Sequence, residues 1–207
     1  MNMMRFTTMK TKLRKYPSIF LILLLAISSC FLTGCVNQHP KDSKKSSQGE
    51  SVETMLEITD PKEKQAVLNA KAKVKALSGN PRIVATSPAV ADICDKLDLD
   101  LVGVPKSSVS KIPSRYKKVK KVGLAMSPDM EIVSSLNPDW ILAPSSLETD
   151  LKPKFEELKN TEYAFLNLRS VQGMYRSVQE LGEIFGKQQE AEKMTKEFTT
   201  FYKSYTK

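Results

Sequence analysis

The stretch GLAMSPDMEIVSSLNPDWILA, residues 123–143, contains the signals around which the rest of the chain is organised. Ser127 can cap a helix by accepting a backbone N–H of the first turn, and Pro128 suits the first helical position. The acidic residues Asp129 and Glu131 then stand near the positive end of the helix dipole. The sequence therefore predicts a helix that starts at Ser127-Pro128, with Met126 on the loop just before it.

The second half of this stretch predicts the end of that helix and then a buried strand. The inner face of the helix carries apolar residues at helical spacing: Ile132, Val133 and Leu136. The pair Asn137-Pro138 ends the helix, because a residue that precedes proline avoids the helical conformation. The continuous apolar run Trp140–Leu142 indicates a short strand that is covered on both faces.

Strand and helix patterns alternate along the rest of the chain. Apolar runs predict further strands at Arg82–Thr86, Leu101–Pro105 and Tyr163–Leu166. The segments with helical spacing are 61–77, 89–97, 145–158, 170–185 and 188–207. Ser87, Ser145 and Ser170 are expected helix caps. Gly186 ends the helix at 170–185, whose expected inner face is Val171, Met174, Tyr175, Val178, Leu181 and Phe185. This alternation predicts an α/β fold with a mainly parallel sheet flanked by helices.

One edge of this predicted sheet collects small polar residues and the loop methionine. Ser87-Pro88 follows the first strand, and Ser145-Ser146 follows the strand at Trp140. The segment Met126-Ser127-Pro128 comes at the same edge. Open parallel sheets bind ligands beyond the carboxyl ends of their strands, so this edge is the expected ligand site.

The N-terminal region has the features of an export signal. Basic residues through Lys15 precede the apolar run Ile19–Ile27, which is short for a membrane span. The sequence Leu32-Thr33-Gly34-Cys35 follows and resembles the lipobox of bacterial lipoproteins. This resemblance implies cleavage before Cys35, lipidation of its thiol, and anchoring on the extracytoplasmic face of the cell membrane.

Five regions are expected along the chain. They are the signal and lipobox (1–35), a polar tether (36–60), a helix with its entry turn (61–81), the α/β ligand-binding lobe (82–187) and a long amphipathic helix (188–207). The globular domain is expected to begin at Arg82, and the Lys/Ser-rich tether has nothing to bury.

Charge and reactive residues restrict the function classes. The net charge is +9, but five basic residues and no acid lie in residues 1–35, so the remainder carries +4. This modest excess without clustered arginine argues against a nucleic-acid partner. The single histidine, His39, lies in the tether, and no phosphate loop or G-x-S-x-G is present, so an enzyme is not expected. Cys94 is expected to be a buried structural thiol.

Several motifs together resemble the substrate-binding lipoproteins of bacterial iron-uptake ABC transporters, in their helical-backbone class. The markers are RIVAT at Arg82, DKLDLDLVGVP ending at Pro105 and SLNPDWIL at Ser135. Two further motifs, IPSRY at Ile112 and G-x-x-M-x-P-D-x-E at Gly123, resemble the haem-binding members of the iron-regulated surface determinant type. The family has two α/β lobes joined by one long helix, so the resemblance implies that this chain is the N-terminal lobe with the start of that helix.

The resemblance implies that the chain binds haem and delivers it to an ABC importer. Met126 matches the family's methionine ligand of the haem iron, whereas the family's second ligand is a histidine in a C-terminal lobe that this sequence does not contain. The residues expected to receive the propionates or line the pocket are Ser87, Ala89, Val90, Ser107, Ser108 and Ser127. The implied partners are a permease, contacted through acidic residues such as Glu131, Glu148 and Asp150, and surface haem-relay proteins.

Other ligands remain open on the residues alone. A ferric siderophore or cobalamin would use the same fold, with arginine, tyrosine or tryptophan facing the ligand. A manganese or zinc site is a weaker interpretation, because those cations take several histidine and carboxylate ligands.

Overall fold

The structure, a computed structural model, describes residues 5–6 and 57–205 of the 207-residue chain. The helices are α1 (Pro61–Lys75), α2 (Pro88–Lys96), α3 (Met130–Ser135), α4 (Glu148–Glu156), α5 (Val171–Phe185) and α6 (Gln188–Tyr205). The strands are β1 (Arg5–Phe6), β2 (Ile83–Ala85), β3 (Leu101–Val104), β4 (Lys120–Lys121), β5 (Gly123–Leu124), β6 (Ser127–Pro128), β7 (Trp140–Pro144) and β8 (Glu162–Leu166). Short 3₁₀ turns occur at Ser114–Tyr116 and Ser145–Leu147.

The main sheet has the strand order β1-β8-β7-β2-β3-β4 among the described residues. All its neighbours pair in parallel except β1, which pairs antiparallel with β8 at the sheet edge. In the sheet centre, Val84 of β2 pairs with Ile141 of β7. The predicted α/β fold class with a mainly parallel sheet is confirmed.

Both faces of the sheet are covered, as the apolar strands predicted. Along β7, Trp140 and Leu142 belong to one core, whereas Ile141 and Ala143 belong to the other. The first core includes buried residues of α1, α2, α5 and α6, and the second includes those of α3 and α4. Because successive strand residues point to opposite faces, this division means that helices lie on both sides of the sheet.

Helix α1 belongs to the same compact unit as the sheet, so the domain extends ahead of the expected start at Arg82. Val67 and Ala70 of α1 are buried in the first core. Lys71 of α1 forms an ion pair with Glu183 of α5. Asp60 caps α1, because its side chain accepts a hydrogen bond from the amide of Lys62 at 2.8 Å.

For helices α4 and α5, two expected boundaries are confirmed and two expectations are wrong. Ser170 caps α5 through the amide of Gly173 at 3.0 Å, and Gly186 ends it in the left-handed conformation with φ of 71°. Ser145 does not cap α4, because residues 145–147 form a 3₁₀ turn that has no side-chain cap. Val171 does not line the inner face of α5, since it lies at the first turn and is exposed.

The long helix α6 packs against α5 and carries an aromatic cluster. The rings of Tyr175 and Phe198 stack with centroids 4.5 Å apart, and Phe198 also contacts Tyr202. Phe201 nearby is exposed. Within residues 57–205, none of the helices combines the length and apolar character needed to cross a membrane.

Cys94 is fully buried in the first core, as expected for a structural thiol. Burial raises the pKa of this thiol to about 12, so it stays protonated at neutral pH. The expectations about Cys35, His39 and the segment 36–56 of the tether lie outside the described residues.

Candidate ligand-binding edge

Three neighbouring parallel strands deliver the expected ligand-binding segments to one edge of the sheet. Strand β2 leads into Ser87 and α2, β3 leads into the loop at Lys106, and β4 leads into the hairpin that carries Met126. Because β2, β3 and β4 are adjacent and parallel, their carboxyl ends meet at the same edge. The structure therefore brings the segments after β2, β3 and β4 to a common edge, which is where such sheets bind ligands.

The segment after β2 offers one open backbone donor. The Ser87 side chain is buried and accepts a hydrogen bond from the amide of Val90 at 3.2 Å, so the expected Ser-Pro helix start is confirmed. The Val90 amide and the Ser87 side-chain oxygen are therefore already hydrogen-bonded to each other. Pro88 has no amide hydrogen, and within residues 57–205 the amide of Ala89 has no hydrogen-bond acceptor. Ala89 is exposed, so its N–H can donate a hydrogen bond to an anionic group.

The loop after β3 is tied at both of its ends. Near its start, the amide of Lys106 donates to the carbonyl oxygen of Gly123 at 2.6 Å. Near its end, Arg115 pairs with Asp98 and Asp100 at 2.8 Å each. Between these ties, the amide of Ser110 donates to the Ser107 hydroxyl oxygen at 3.0 Å. The loop is thus held beside the hairpin, with its Ser107 and Ser108 hydroxyls available as donors.

The predicted helix start at Ser127-Pro128 is wrong. Ser127 and Pro128 form β6, which pairs antiparallel with β5 in a hairpin. The helix cap is Asp129, whose carboxylate accepts hydrogen bonds from the amides of Glu131 and Ile132 at 3.1 Å each. Aspartate is as good a cap as serine, and pairing with Leu124 places Ser127 on a strand instead of at the cap.

Gly123 is the residue that permits this hairpin. Its φ of +96° lies in a region that side chains disfavour, and an added Cβ would lie 2.9 Å from the amide nitrogen of Asp129. The amide of Asp129 also donates to the carbonyl oxygen of Val122 at 2.8 Å. The glycine was visible in the sequence and is the signal that could have indicated a turn before the helix.

The hairpin places Met126 in its two-residue turn rather than ahead of a helix cap. The side chain of Met126 is 73% exposed, so its thioether is accessible. Met130, only four residues later, is partly buried and packs against the second core. The structure therefore separates a packing methionine from an accessible one within the same short stretch.

The remaining predicted residues lie around this hairpin or at the end of β7. Ser127 is exposed on the hairpin opposite Leu124. Ser145 and Ser146 follow β7 in the 3₁₀ turn. Among residues 57–205, no group of three or more histidine, cysteine or carboxylate residues is arranged to hold a metal ion.

The fold agrees with a comparison to known families. The model of the periplasmic binding protein family matches residues 83–207, which is more than half of the chain. The chain belongs to the periplasmic binding protein family. Members of this family serve as substrate-binding components of transport systems.

A curated relative comes from a haem-uptake system. The High-affinity heme uptake system protein IsdE of Staphylococcus aureus strain Newman is 36% identical over 117 residues. The match covers 56% of this chain and 39% of the relative, so the chain spans less than half of that protein's length.

Solved structures give the same picture. An ABC transporter substrate-binding protein from Listeria monocytogenes EGD-e is 44% identical with a TM-score of 0.56, covering 59% of this chain and 46% of the other. S. aureus IsdE complexed with heme is 34% identical with a TM-score of 0.56 and the same coverage. The siderophore-binding protein BauB, bound to acinetobactin and ferric iron, is 25% identical with a TM-score of 0.51 and covers 58% of this chain and 45% of the other.

Proposed function

We propose that this protein binds haem at the edge formed by β2, β3 and β4 and delivers it to an ABC importer. The observation that carries the proposal is the position of Met126, whose exposed thioether stands at the tip of a hairpin on the ligand edge. The 36% identity to a haem-uptake protein supports the choice of haem as the transported ligand. The Met126 sulfur is the proposed ligand of the haem iron, a role that suits a soft, neutral thioether.

The same edge provides groups for the haem propionates. The open amide of Ala89 and the hydroxyls of Ser107 and Ser108 are the proposed hydrogen-bond donors. Lys106 is exposed beside them and forms no ion pair with the described residues, so it adds positive charge. Ser87 and Val90, which bond to each other, are assigned to the support of the pocket.

Met126 supplies one proposed iron ligand, and residues 57–205 contain no histidine that could supply a second one. The family resemblance implies that a histidine of a C-terminal lobe is that second ligand.

A ferric siderophore is the second candidate, because the siderophore-binding protein BauB shares the fold at 25% identity. An enzymatic role is not proposed, since the family consists of transport components. The two ligand classes differ chemically, because a porphyrin has a broad apolar face whereas a ferric siderophore is a polar chelate.

A parallel titration distinguishes these ligands. The chain, purified in detergent, is titrated with haemin and separately with a ferric catecholate siderophore, with absorbance recorded for haemin and tryptophan fluorescence for both. We expect a saturable Soret band at one haem per chain and no saturable response to the siderophore. Saturable siderophore binding without a Soret band would overturn the haem assignment.

The proposed location is the extracytoplasmic face of the cell membrane, through lipid on Cys35. The order of basic region, apolar run and lipobox in the sequence supports this. Metabolic labelling with a radioactive fatty acid should mark the wild type and leave Cys35→Ser unlabelled. Equal labelling of both proteins would exclude Cys35 as the acylated residue.

A permease and surface haem-relay proteins are the proposed partners. Glu131 lies in the first turn of α3, and Glu148 and Asp150 lie in the first turn of α4. Charge reversal at all three positions should reduce haem-dependent growth while leaving the haemin titration unchanged. Growth equal to wild type would remove these residues from the docking surface.

A further inference from the structure

The hairpin that carries Met126 has one face turned inward and one turned outward. Gly123 pairs with Pro128, and Pro128 is buried. Leu124 pairs with Ser127, and both are exposed. Residues directly opposite each other on paired strands share a face, so Leu124 and Ser127 form the outward side of the hairpin.

The outward side and the turn of the hairpin both expose apolar side chains. Leu124 is 58% exposed and Met126 is 73% exposed, and neither belongs to the two cores. Val109, on the loop after β3, is 94% exposed. That loop is joined to the hairpin by the hydrogen bond from Lys106 to Gly123. A single exposed leucine needs no explanation, whereas an exposed leucine and an exposed methionine on one short hairpin at a ligand edge favour an apolar occupant.

The position of Leu124 is fixed by the backbone around it. The left-handed conformation of Gly123 and the hydrogen bond from the Asp129 amide to Val122 hold the base of the hairpin. The amide of Val122 in turn donates to the carbonyl oxygen of Val104 in β3 at 2.9 Å. The hairpin that carries Leu124 is therefore anchored to β3, and Leu124 lies two residues before the proposed iron ligand, Met126.

We propose that Leu124 is a specificity-determining residue of this site, packing against the apolar macrocycle of an iron porphyrin. This inference rests on the proposed haem-binding function and names the contact that favours a porphyrin over a polar iron chelate. Met126, the proposed iron ligand, lies in the turn of the same hairpin two residues after Leu124, so the occupant proposed for this side is the haem itself. A ferric siderophore gains little from this contact, since its iron is surrounded by polar groups.

Leu68 provides a matched control for this contact. It is 54% exposed, close to the 58% of Leu124, but lies on α1 rather than on the hairpin. We compare Leu124→Ser, Leu124→Met and Leu68→Ser with the wild type in haemin titrations and in haem transfer to apomyoglobin. Circular dichroism of each variant verifies the fold.

Of the three variants, only Leu124→Ser is expected to change haem binding. Leu124→Ser should weaken haem binding roughly fivefold and speed haem loss, because it removes apolar area that the porphyrin covers. Its Soret position should stay unchanged, since the iron ligand remains. Leu124→Met and Leu68→Ser should match the wild type. If the wild type binds haem and Leu124→Ser behaves like Leu68→Ser, this inference is wrong while the proposed function stands. If the wild type gives no Soret band, the proposed function itself fails.

Discussion

The amide of Lys106 donates a 2.6 Å hydrogen bond to the carbonyl oxygen of Gly123, which joins the loop after β3 to the hairpin that carries Met126. The two segments follow neighbouring parallel strands, and this bond holds them side by side. This one backbone hydrogen bond therefore connects the loop with the proposed propionate donors, Ser107 and Ser108, to the hairpin with the proposed iron ligand, Met126.

The cap of α3 is tested by two alanine substitutions. Asp129→Ala should lower the free energy of unfolding by about 1 kcal/mol, because the amides of Glu131 and Ile132 lose their acceptor. Ser127→Ala should change it by less than about 0.5 kcal/mol, since Ser127 is exposed on a strand. Urea unfolding monitored by circular dichroism measures both. Equal losses of unfolding free energy in the two variants would contradict the assignment of Asp129 as the cap.

Gly123 is the next position to test. Gly123→Ala should cost about 1–3 kcal/mol of stability, because its φ of +96° is strained for alanine and the new Cβ would meet the Asp129 amide nitrogen at 2.9 Å. Haem binding should weaken as well, since the hairpin base must shift. Gly79→Ala is the control, because no atom lies within 4 Å of a Cβ at that position. A Gly123→Ala protein with wild-type stability and haem affinity would contradict the hairpin geometry.

Much of the fold follows from local patterns, and the failures have a physical reason. Apolar runs indicated β2, β3, β7 and β8, and Ser87, Ser170 and Gly186 marked helix boundaries, because caps and buried strands depend mainly on nearby residues. Strand β4 consists of Lys120 and Lys121, two exposed residues with no apolar signature, and forms only by pairing with β3. Such pairing is a long-range contact that sequence periodicity does not reveal.

The candidate site was also predicted only in part from the sequence. The sequence placed Met126 and the serines at the carboxyl edge of the sheet, and the topology puts them there. The turn of the hairpin and the outward position of Leu124 depend on strand pairing and on the hydrogen bond from the Val122 amide to Val104 in β3. Those features needed the structure.

A buried carboxyl group gives a pH-dependent prediction away from the ligand edge. Glu180 of α5 is almost fully buried, and among residues 57–205 its Oε2 atom has no hydrogen-bond partner. Burial, with a smaller contribution from Glu63 of α1, raises its pKa to about 8, while Arg176 opposes the rise. From about pH 4.5 to 8 the unfolded chain ionises this group and the folded protein keeps it protonated, so its contribution to stability declines as pH rises.

Substitution of Glu180 should remove this decline. Glu180→Gln should flatten the dependence of the unfolding free energy on pH between 5 and 8. At pH 8, the unfolding free energy of this variant should be higher than that of the wild type by an amount of order 1 kcal/mol or more. Glu183→Gln on the same helix is the control. A hydrogen bond from Lys71 is the main cause that lowers the pKa of Glu183, so that variant should leave the alkaline decline in place. Parallel urea titrations across this range make the comparison, and identical slopes for wild type and Glu180→Gln would contradict the assignment.

The visible spectrum of haem bound to methionine variants tests the central claim most directly. Met126 is 73% exposed at the hairpin tip, whereas Met130 packs against a core, so the pair separates ligation from packing. Titration of the chain with haemin in detergent, followed by haem transfer to apomyoglobin, is carried out for wild type, Met126→Ala and Met130→Leu. If Met126 ligates the iron, Met126→Ala shifts the Soret maximum and speeds haem loss at least tenfold, while Met130→Leu retains the wild-type spectrum. Identical spectra and haem-loss rates for the wild type and both variants would contradict the assignment of Met126 as the iron ligand.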